Sequence, residues 1–429
     1  MHVAIIGSGI AGLSCAHALT KAGGNRVSVY EAAGYLGGHT NTVDVTVNGI
    51  THPVDTGFLV FNDRTYPRLI ELFKELDVPT VASEMSFSVS LDGRLEWAGN
   101  NLATVFAQPS NLLRPRFMRM LADLLRFNRA ARQVGTDSAA DAGSAGAGLS
   151  LGDYLERGGY STAFRDWYLL PMAGAIWSCP TRTMLDYPFA TFARFCLNHG
   201  LLQVTDRPQW RTVKGGGREY VRRLAATLPD VRLDCPVQSV RRVAGGVMVQ
   251  TAASSERYDQ VVLACHSDQA LRLLAEPGAQ ERALLDAIRY QPNLAYLHTD
   301  TTLLPRRRRV WAAWNYLSTG PDTLGERPVA VSYLINRLQP LPFATPVIVT
   351  LNPFRDPAPE HVQARIEYAH PVFDAAAIDA QQALPGIQGQ GGVWFAGAWT
   401  GYGFHEDGLA SGLAVADALA NRAQWKLAA

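Results

Sequence analysis

Residues 1–40 read MHVAIIGSGIAGLSCAHALTKAGGNRVSVYEAAGYLGGHT. The run His2-Val3-Ala4-Ile5-Ile6 is apolar and partly β-branched, the pattern of a parallel strand buried on both faces. Three glycines come next, at Gly7, Gly9 and Gly12. In this setting Gly7 permits a tight turn, Gly9 lets backbone approach a pyrophosphate, and Gly12 lets the next helix lie close to the strand. Leu13, Ala16 and Leu19 give that helix one apolar face. Its first residues, Ile10 and Ala11, would turn free N–H groups and the helix dipole toward a diphosphate. A second strand, Arg26 to Tyr30, delivers Glu31, whose carboxylate can accept from ribose hydroxyls. A glycine-rich turn in an ordinary α/β protein would share the glycines. The strand, the helix and the acid together favour a dinucleotide cofactor.

The rest of the chain bounds that reading. Its 429 residues exceed what one hydrophobic core spans, so two domains are expected. Hydrophobic content of 47 % against 18 % charged residues is the balance of a globular enzyme. A net charge of +1 creates no field for nucleic acid, so no nucleic-acid partner is expected. Cys15, Cys179, Cys196, Cys235 and Cys265 show no C-x-x-C and no pairing rhythm, which suits a reducing compartment and gives no metal site. The first residues enter a strand without a charged leader, so no signal peptide is expected. No apolar stretch approaches the roughly 18 residues of a membrane span. A cytoplasmic protein is the expectation.

Beyond Glu31 the chain continues AAGYLGGHTNTV (32–43). This resembles the E-x-x-x-x-x-G-G-[RH]-x-x-T stretch of the flavin amine-oxidase superfamily. Residues 393–420, VWFAGAWTGYGFHEDGLASGLAVADALA, are similar to the closing motif of the same superfamily. The resemblance implies FAD as the cofactor. It places Gly37, Gly38, His39 and Thr40 along the diphosphate and flavin edge, and Val237 on the adenine side. It also puts Gly397 and Ala398 beside the cofactor, with the backbone of Gly408, Leu409 and Ala410 at the flavin's pyrimidine oxygen. Asp55, Thr56, Gly57 and Asn62 would lie near the flavin, and Arg64 would hold a carboxylate or phosphate. Tyr402, Phe404 and His405, with Trp399, would shape the reacting face. His405 is the member of that group with acid/base range near neutral pH, although a histidine bonding nearby backbone fits as well.

The departures from the pattern are informative. His39 stands where many members carry arginine, and Ala398 where many carry an acid; Glu406 or Asp407 are candidate replacements for that acid. Many amine oxidases of the superfamily hold a lysine at the flavin through water. The four lysines here, Lys21, Lys74, Lys214 and Lys426, all lie outside RYQPNLAYLHTDTTLLP (289–305), where that lysine would be expected. No cysteine stands near the closing motif to tether flavin, so the resemblance implies non-covalent FAD.

Further stretches, PVDTGFLVFNDRTYPRLIELFKELDVPT (53–80), WNYL (314–317), SYLINRLQ (332–339) and VTLNP (349–353), look like one bacterial subgroup of predicted NAD/FAD-binding proteins. Members are similar to fatty-acid isomerases and to the flavoproteins of furan fatty-acid formation. That resemblance implies a lipophilic substrate, an unsaturated or methylated fatty acyl chain losing hydride. A double-bond isomerase without net redox, an amine oxidase, and a flavin-binding module without turnover remain alternatives.

The expected fold class is α/β, a Rossmann-like FAD-binding domain of the amine-oxidase type with an inserted α+β substrate domain. Residues 1–70, 205–270 and 385–429 would form the FAD domain, and 71–204 and 271–384 the substrate domain. Residues 135–150, GTDSAADAGSAGAGLS, read as a surface loop. Residues 111–134 interleave Leu112, Leu113, Phe117, Met120, Leu121, Leu124, Leu125 and Phe127 with six arginines. A solvated cationic helix packed on its apolar side and a membrane-surface helix both fit. The run Arg306 to Arg309 could join such a surface, at the inner face of a membrane. Aromatics concentrated between Trp167 and Phe195 and from Trp311 to Tyr316 are expected in the core, some of them lining a substrate tunnel.

Overall fold

The computed structural model describes residues 1–136, 148–177, 181–203, 207–319 and 330–427. Most of the loop expected over 135–150, and Cys179, lie outside the described residues. A five-stranded, all-parallel sheet runs in the order Val231–Arg232, Arg26–Tyr30, His2–Ile6, Gln260–Leu263, Val393–Phe395. Its strands are runs of Val, Ile and Leu with almost no exposed residue, as a sheet covered on both faces requires. His2–Ile6 lies between strands that come later in sequence on either side, so the connections diverge at its carboxyl end. That is where an open α/β sheet presents a crevice.

Two helices close one face of this sheet, Ile10–Lys21 and His405–Leu427. They cross at glycine: a Cβ on Gly412 would stand 2.2 Å from the Ala11 carbonyl oxygen, and one on Gly408 would stand 2.8 Å from the Ile10 side chain. A three-stranded antiparallel meander, Val237–Val243, Gly246–Thr251 and Ser255–Tyr258, flanks the sheet.

The second layer is a seven-stranded mixed sheet, in the order Val362–Pro371, Tyr290–His298, Ile348–Leu351, Ala330–Leu334, Trp314–Ser318, Phe87–Leu91, Leu95–Ala98. Helices Pro115–Thr136, Leu170–Trp177 and Phe189–Asn198 share with its Phe87–Ala98 edge an aromatic core that includes Trp97, Phe117, Phe127, Phe164, Phe189 and Phe192.

The segment ends drawn from sequence cut through elements. Residue 70 falls inside helix Pro67–Glu75, and residue 270 inside helix Ser267–Leu273. Strand Thr80–Ala82 pairs with Trp210–Val213, which also pairs with Phe61–Asn62, so hydrogen bonding carries the first segment past residue 70. Helix Ala375–Ala383 buries Ala377 and Ala380 in the same core cluster as Val261 and Phe395, which sets it with the parallel sheet rather than the mixed one. No helix among the described residues is long and apolar enough to cross a membrane.

Candidate functional site

A cavity of about 1240 Å³ runs from the carboxyl end of the parallel sheet to the aromatic core of the second layer. Each central strand gives it the residues just past its own carboxyl end: Gly7 to Ala11, Glu31, Ala264 to His266, and Gly397 to Trp399. The glycines divide the work. Gly7 takes φ +107°, and a Cβ there would stand 2.5 Å from the Ala264 carbonyl oxygen. A Cβ on Gly12 would stand 2.0 Å from the Gly7 carbonyl oxygen, so Gly12 serves turn–helix packing and stays off the cavity wall. Gly9 is different: its backbone is extended and no protein atom lies within 4 Å of its Cβ position. It opens onto the cavity. Helix Ile10–Lys21 begins there with no side chain capping its first N–H groups, which suits an anion.

Glu31 is held at the strand end. One carboxylate oxygen accepts from the Ser8 N–H at 3.0 Å and the Ser8 hydroxyl at 2.6 Å, and the other from the Ala33 N–H at 2.9 Å. Gly37 and Gly38, at φ +115° and +57°, bring their loop against Gly9. Val237 lines the same end of the cavity beside Cys235 and Pro236. Thr56 and Gly57 line the wall as expected, with the Thr56 hydroxyl 2.8 Å from the Tyr368 hydroxyl. Gly57 has no room for a Cβ, which would stand 2.2 Å from the His39 carbonyl oxygen.

His39 belongs to a cluster the sequence did not reveal. Its ring stacks on Tyr368 at 5.1 Å and stands 5.4 Å from His370 and 5.9 Å from His266. His266 stacks on Tyr290 at 4.3 Å. All five rings line the cavity. Burial and the mutual repulsion of the imidazoles push His39 down to about 3 and His370 to about 4, and burial lowers His266. The histidines are neutral at pH 7. The His39 Nε2 is buried without a protein partner, a donor or acceptor left for a ligand. His370 accepts at Nδ1 from the Asn293 amide at 2.9 Å, which keeps its proton on Nε2.

His405 opens the last helix and lines the cavity, stacked 3.8 Å over Phe58 with Nε2 2.7 Å from the Tyr220 hydroxyl. Burial drives it down to about 3, so it does not titrate near neutral pH as its residue type suggests. Phe404 lines the cavity too, but Tyr402 packs behind it against Phe195.

Other expected residues serve the frame instead. Thr40 binds the Tyr220 hydroxyl at 2.6 Å. Asp55 is buried off the cavity, accepting from the Thr42 hydroxyl, the Gly217 N–H and the Gln339 amide, and burial outweighs these bonds to raise it to about 6. Asn62 bonds Thr65, while Gly408 and Leu409 pack in the helix crossing and Ala410 stays off the wall. Ala398 lines the cavity, but neither candidate acid stands in for the missing carboxylate. Glu406 accepts from the Arg68 and Leu69 N–H groups, and Asp407 from the Phe404 N–H. Arg64 stays off the cavity wall, which takes its cations from Arg207 and Arg272.

The far half of the cavity is walled by Trp97, Tyr168, Met172, Phe195, Trp314 and Phe404, with His199 and exposed Arg207 also lining it. His199 stacks 4.0 Å from Phe195 and donates from Nδ1 to the Phe195 carbonyl at 3.0 Å; burial lowers it to about 4. Among the residues lining the cavity there is no lysine.

The family model of flavin containing amine oxidoreductases matches residues 10–333. A 15-cis-phytoene desaturase of Synechococcus elongatus is 34% identical over 110 residues, 26% of this chain and 19% of that protein, so the match spans about a fifth of that relative. Two solved structures share the fold across nearly the whole chain. Cyclohexylamine oxidase from Brevibacterium oxydans IH-35A has a TM-score of 0.70 at 18% identity, covering 99% of both chains. The CLA-producing fatty acid isomerase from P. acnes has a TM-score of 0.67 at 17% identity, covering 98% of both chains.

Proposed function

The chain belongs to the flavin containing amine oxidoreductase family, and from that premise we propose that it is an oxidoreductase with non-covalent FAD acting on a lipophilic substrate, an unsaturated or methylated fatty acyl chain. The observation that carries this reading is the continuity of the glycine-walled cleft with an aromatic chamber in one cavity. The cleft fits a dinucleotide: the open space over Gly9, the uncapped helix start and the anchored Glu31 match a diphosphate and a ribose. When bound, FAD supplies a two-electron hydride acceptor. The protein's own part is to exclude water and to orient the acyl chain between Trp97, Tyr168, Phe195 and Phe404. Arg207, which lines the cavity and is exposed, would pair with a terminal carboxylate. The Gly37-Gly38 loop and the neutral His39 would lie along the cofactor.

The absence of lysine from the described cavity wall argues against an ordinary amine oxidase. A double-bond isomerase, in which hydride leaves and returns, is favoured by the neutrality of the cavity histidines, because that cycle releases no net proton. The test is anaerobic mixing of the purified flavoprotein with unsaturated fatty acids or phospholipids, and separately with amines, while the flavin spectrum is recorded. Bleaching by acyl lipid supports the proposal. A shifted double bond with no lasting bleaching supports the isomerase. Bleaching by amines alone overturns both.

A further inference from the structure

Five large apolar side chains of one short segment face solvent: Leu102, Leu112, Leu113, Met118 and Leu125. Leu113 is 87% exposed, Leu102 77% and Leu125 60%, so the packing of the short helices and the long helix that carry them makes little use of them. Helix Pro115–Thr136 turns other residues inward, burying Phe117, Met120, Phe127 and Ala131 in the aromatic core. The exposed leucines alternate with exposed Arg116, Arg119, Arg126, Arg129 and Arg132. From residue 94 to 136 there are two carboxylates, Glu96 and Asp123, and both are buried. Asp123 pairs with Arg119 and Arg126. Glu96 accepts from the Arg306 N–H at 2.7 Å and the Arg307 guanidinium at 2.8 Å. Those bonds bring the Arg306–Arg309 run onto the same edge of the fold, where Arg306, Arg308 and Arg309 remain exposed. Along that stretch the exposed charged side chains are cationic, set among the exposed leucines, and no carboxylate faces outward; the nearby exposed Asp166 is paired with Arg165.

We propose that this face docks the protein on an anionic lipid bilayer. Leucines at the acyl boundary with arginines at the phosphates are the arrangement such an interface rewards. A folded protein partner would more often meet a patch carrying both signs of charge. The face also stands one layer from the cavity: Trp97 lines the chamber and contacts Phe117 at 6.4 Å, and Gly99, on the cavity wall, leads directly into Leu102. The docking stands apart from the substrate reading, because it is measured without turnover.

The experiment is cosedimentation of the full-length flavoprotein with vesicles of phosphatidylcholine, with and without phosphatidylglycerol, across a salt series. The expected result is binding to the anionic vesicles that weakens with salt. Leu112→Ser with Leu113→Ser should lower partitioning by at least about tenfold. Arg129→Gln with Arg309→Gln should lower it about 25-fold, at about fivefold per charge. Flavin content and melting temperature of both variants report whether the fold is intact. Failure of the wild type to sediment with anionic vesicles overturns the proposal. So does binding that neither pair alters, or a dimer in sedimentation velocity that the leucine pair abolishes, which would make the face a contact between two copies of the chain.

Discussion

Two neighbouring glycines of one turn should respond to the same substitution in opposite ways. Gly12→Ala places a methyl carbon 2.0 Å from the Gly7 carbonyl oxygen, with the Ala264 side chain 3.1 Å away. Ordinary contact requires more than an ångström of movement, and both the helix and the turn are backbone pinned by the central strand. Overpacking typically costs 1–3 kcal/mol where side chains can yield, so about 3 kcal/mol or more is expected here. Gly9→Ala meets no protein atom within 4 Å, and its φ of −65° is open to any residue. The cofactor-free protein should therefore be unchanged or gain about 0.5 kcal/mol from a stiffer unfolded chain. The added methyl instead occupies the space assigned to the diphosphate. Losing one or two charge-assisted N–H contacts, at about 1.5–3 kcal/mol each, weakens FAD by roughly 10–10⁴-fold. Thermal melts of the cofactor-free proteins and fluorescence titration with FAD measure both quantities. A Gly9→Ala protein that bound FAD with wild-type affinity would refute the assignment of the cleft.

Glu31→Gln keeps the shape but removes the charge that Ser8 and Ala33 orient; a protein purified with less FAD is expected, and full occupancy would show that the ribose lies elsewhere. Five histidines, His298 in the core and His39, His199, His370 and His405 partly buried on the cavity wall, have pKa values lowered to about 3 or 4, so the unfolded chain binds more protons below its ordinary 6.5 and stability falls as pH falls. Each contributes a loss of about 2 kcal/mol between about pH 7 and pH 5; Asp55 and Asp407, raised to about 6, return about 1 kcal/mol each. Urea melts of the cofactor-free protein at the two pH values should show a net loss of several kcal/mol, and equal stability would contradict the neutral cluster. Arg207→Ala should raise KM for free fatty acids about tenfold or more with little change in kcat, as for a lost ion pair on the cavity wall; an unchanged KM removes its anchoring role. His199→Phe keeps the stack on Phe195 and Phe404 while deleting Nε2; slower net desaturation with unchanged FAD content is expected if that nitrogen takes the proton.

The first strand, its turn, the helix after it and Glu31 were legible because each is a local pattern with a local cause. The Asn48-Gly49 turn between Thr42–Val47 and Ile50–Asp55 carries the same kind of signal, both residues taking positive φ. The histidine cluster was not legible. His39, His266 and His370 come from a loop, a strand end and a distant sheet, and no spacing rule joins residues 100 or more positions apart. His405 failed in another way: its residue type predicts titration near neutrality, but burial against Phe58 and Tyr220 decides its protonation. Gly408 looked like part of a cofactor motif, yet its closest protein contact, like that of Gly412, is at a helix crossing. A glycine required by backbone packing and one required by a ligand look identical in sequence.

The protonation of the cavity narrows the chemistry further than its shape does. Removing two electrons and two hydrogens from a hydrocarbon chain sends one hydrogen away as hydride and the other as a proton, which needs an acceptor. One such group on the aromatic chamber wall is His199, with Nδ1 committed to the Phe195 carbonyl and its pKa lowered by burial. A base of that weakness accepts a proton only from an already cationic centre, such as a chain that has lost hydride. Proton abstraction from a neutral C–H is out of its reach. For the acyl substrate proposed above, this would put hydride loss first. On that proposal the product would depend on the fate of the cationic chain: its proton would pass to His199, giving a new double bond, or hydride would return to a different carbon, moving the old one. Both routes demand the dry, uncharged chamber between Trp97 and Phe404, and neither is served by the water-linked lysine of an oxygen-using amine oxidase.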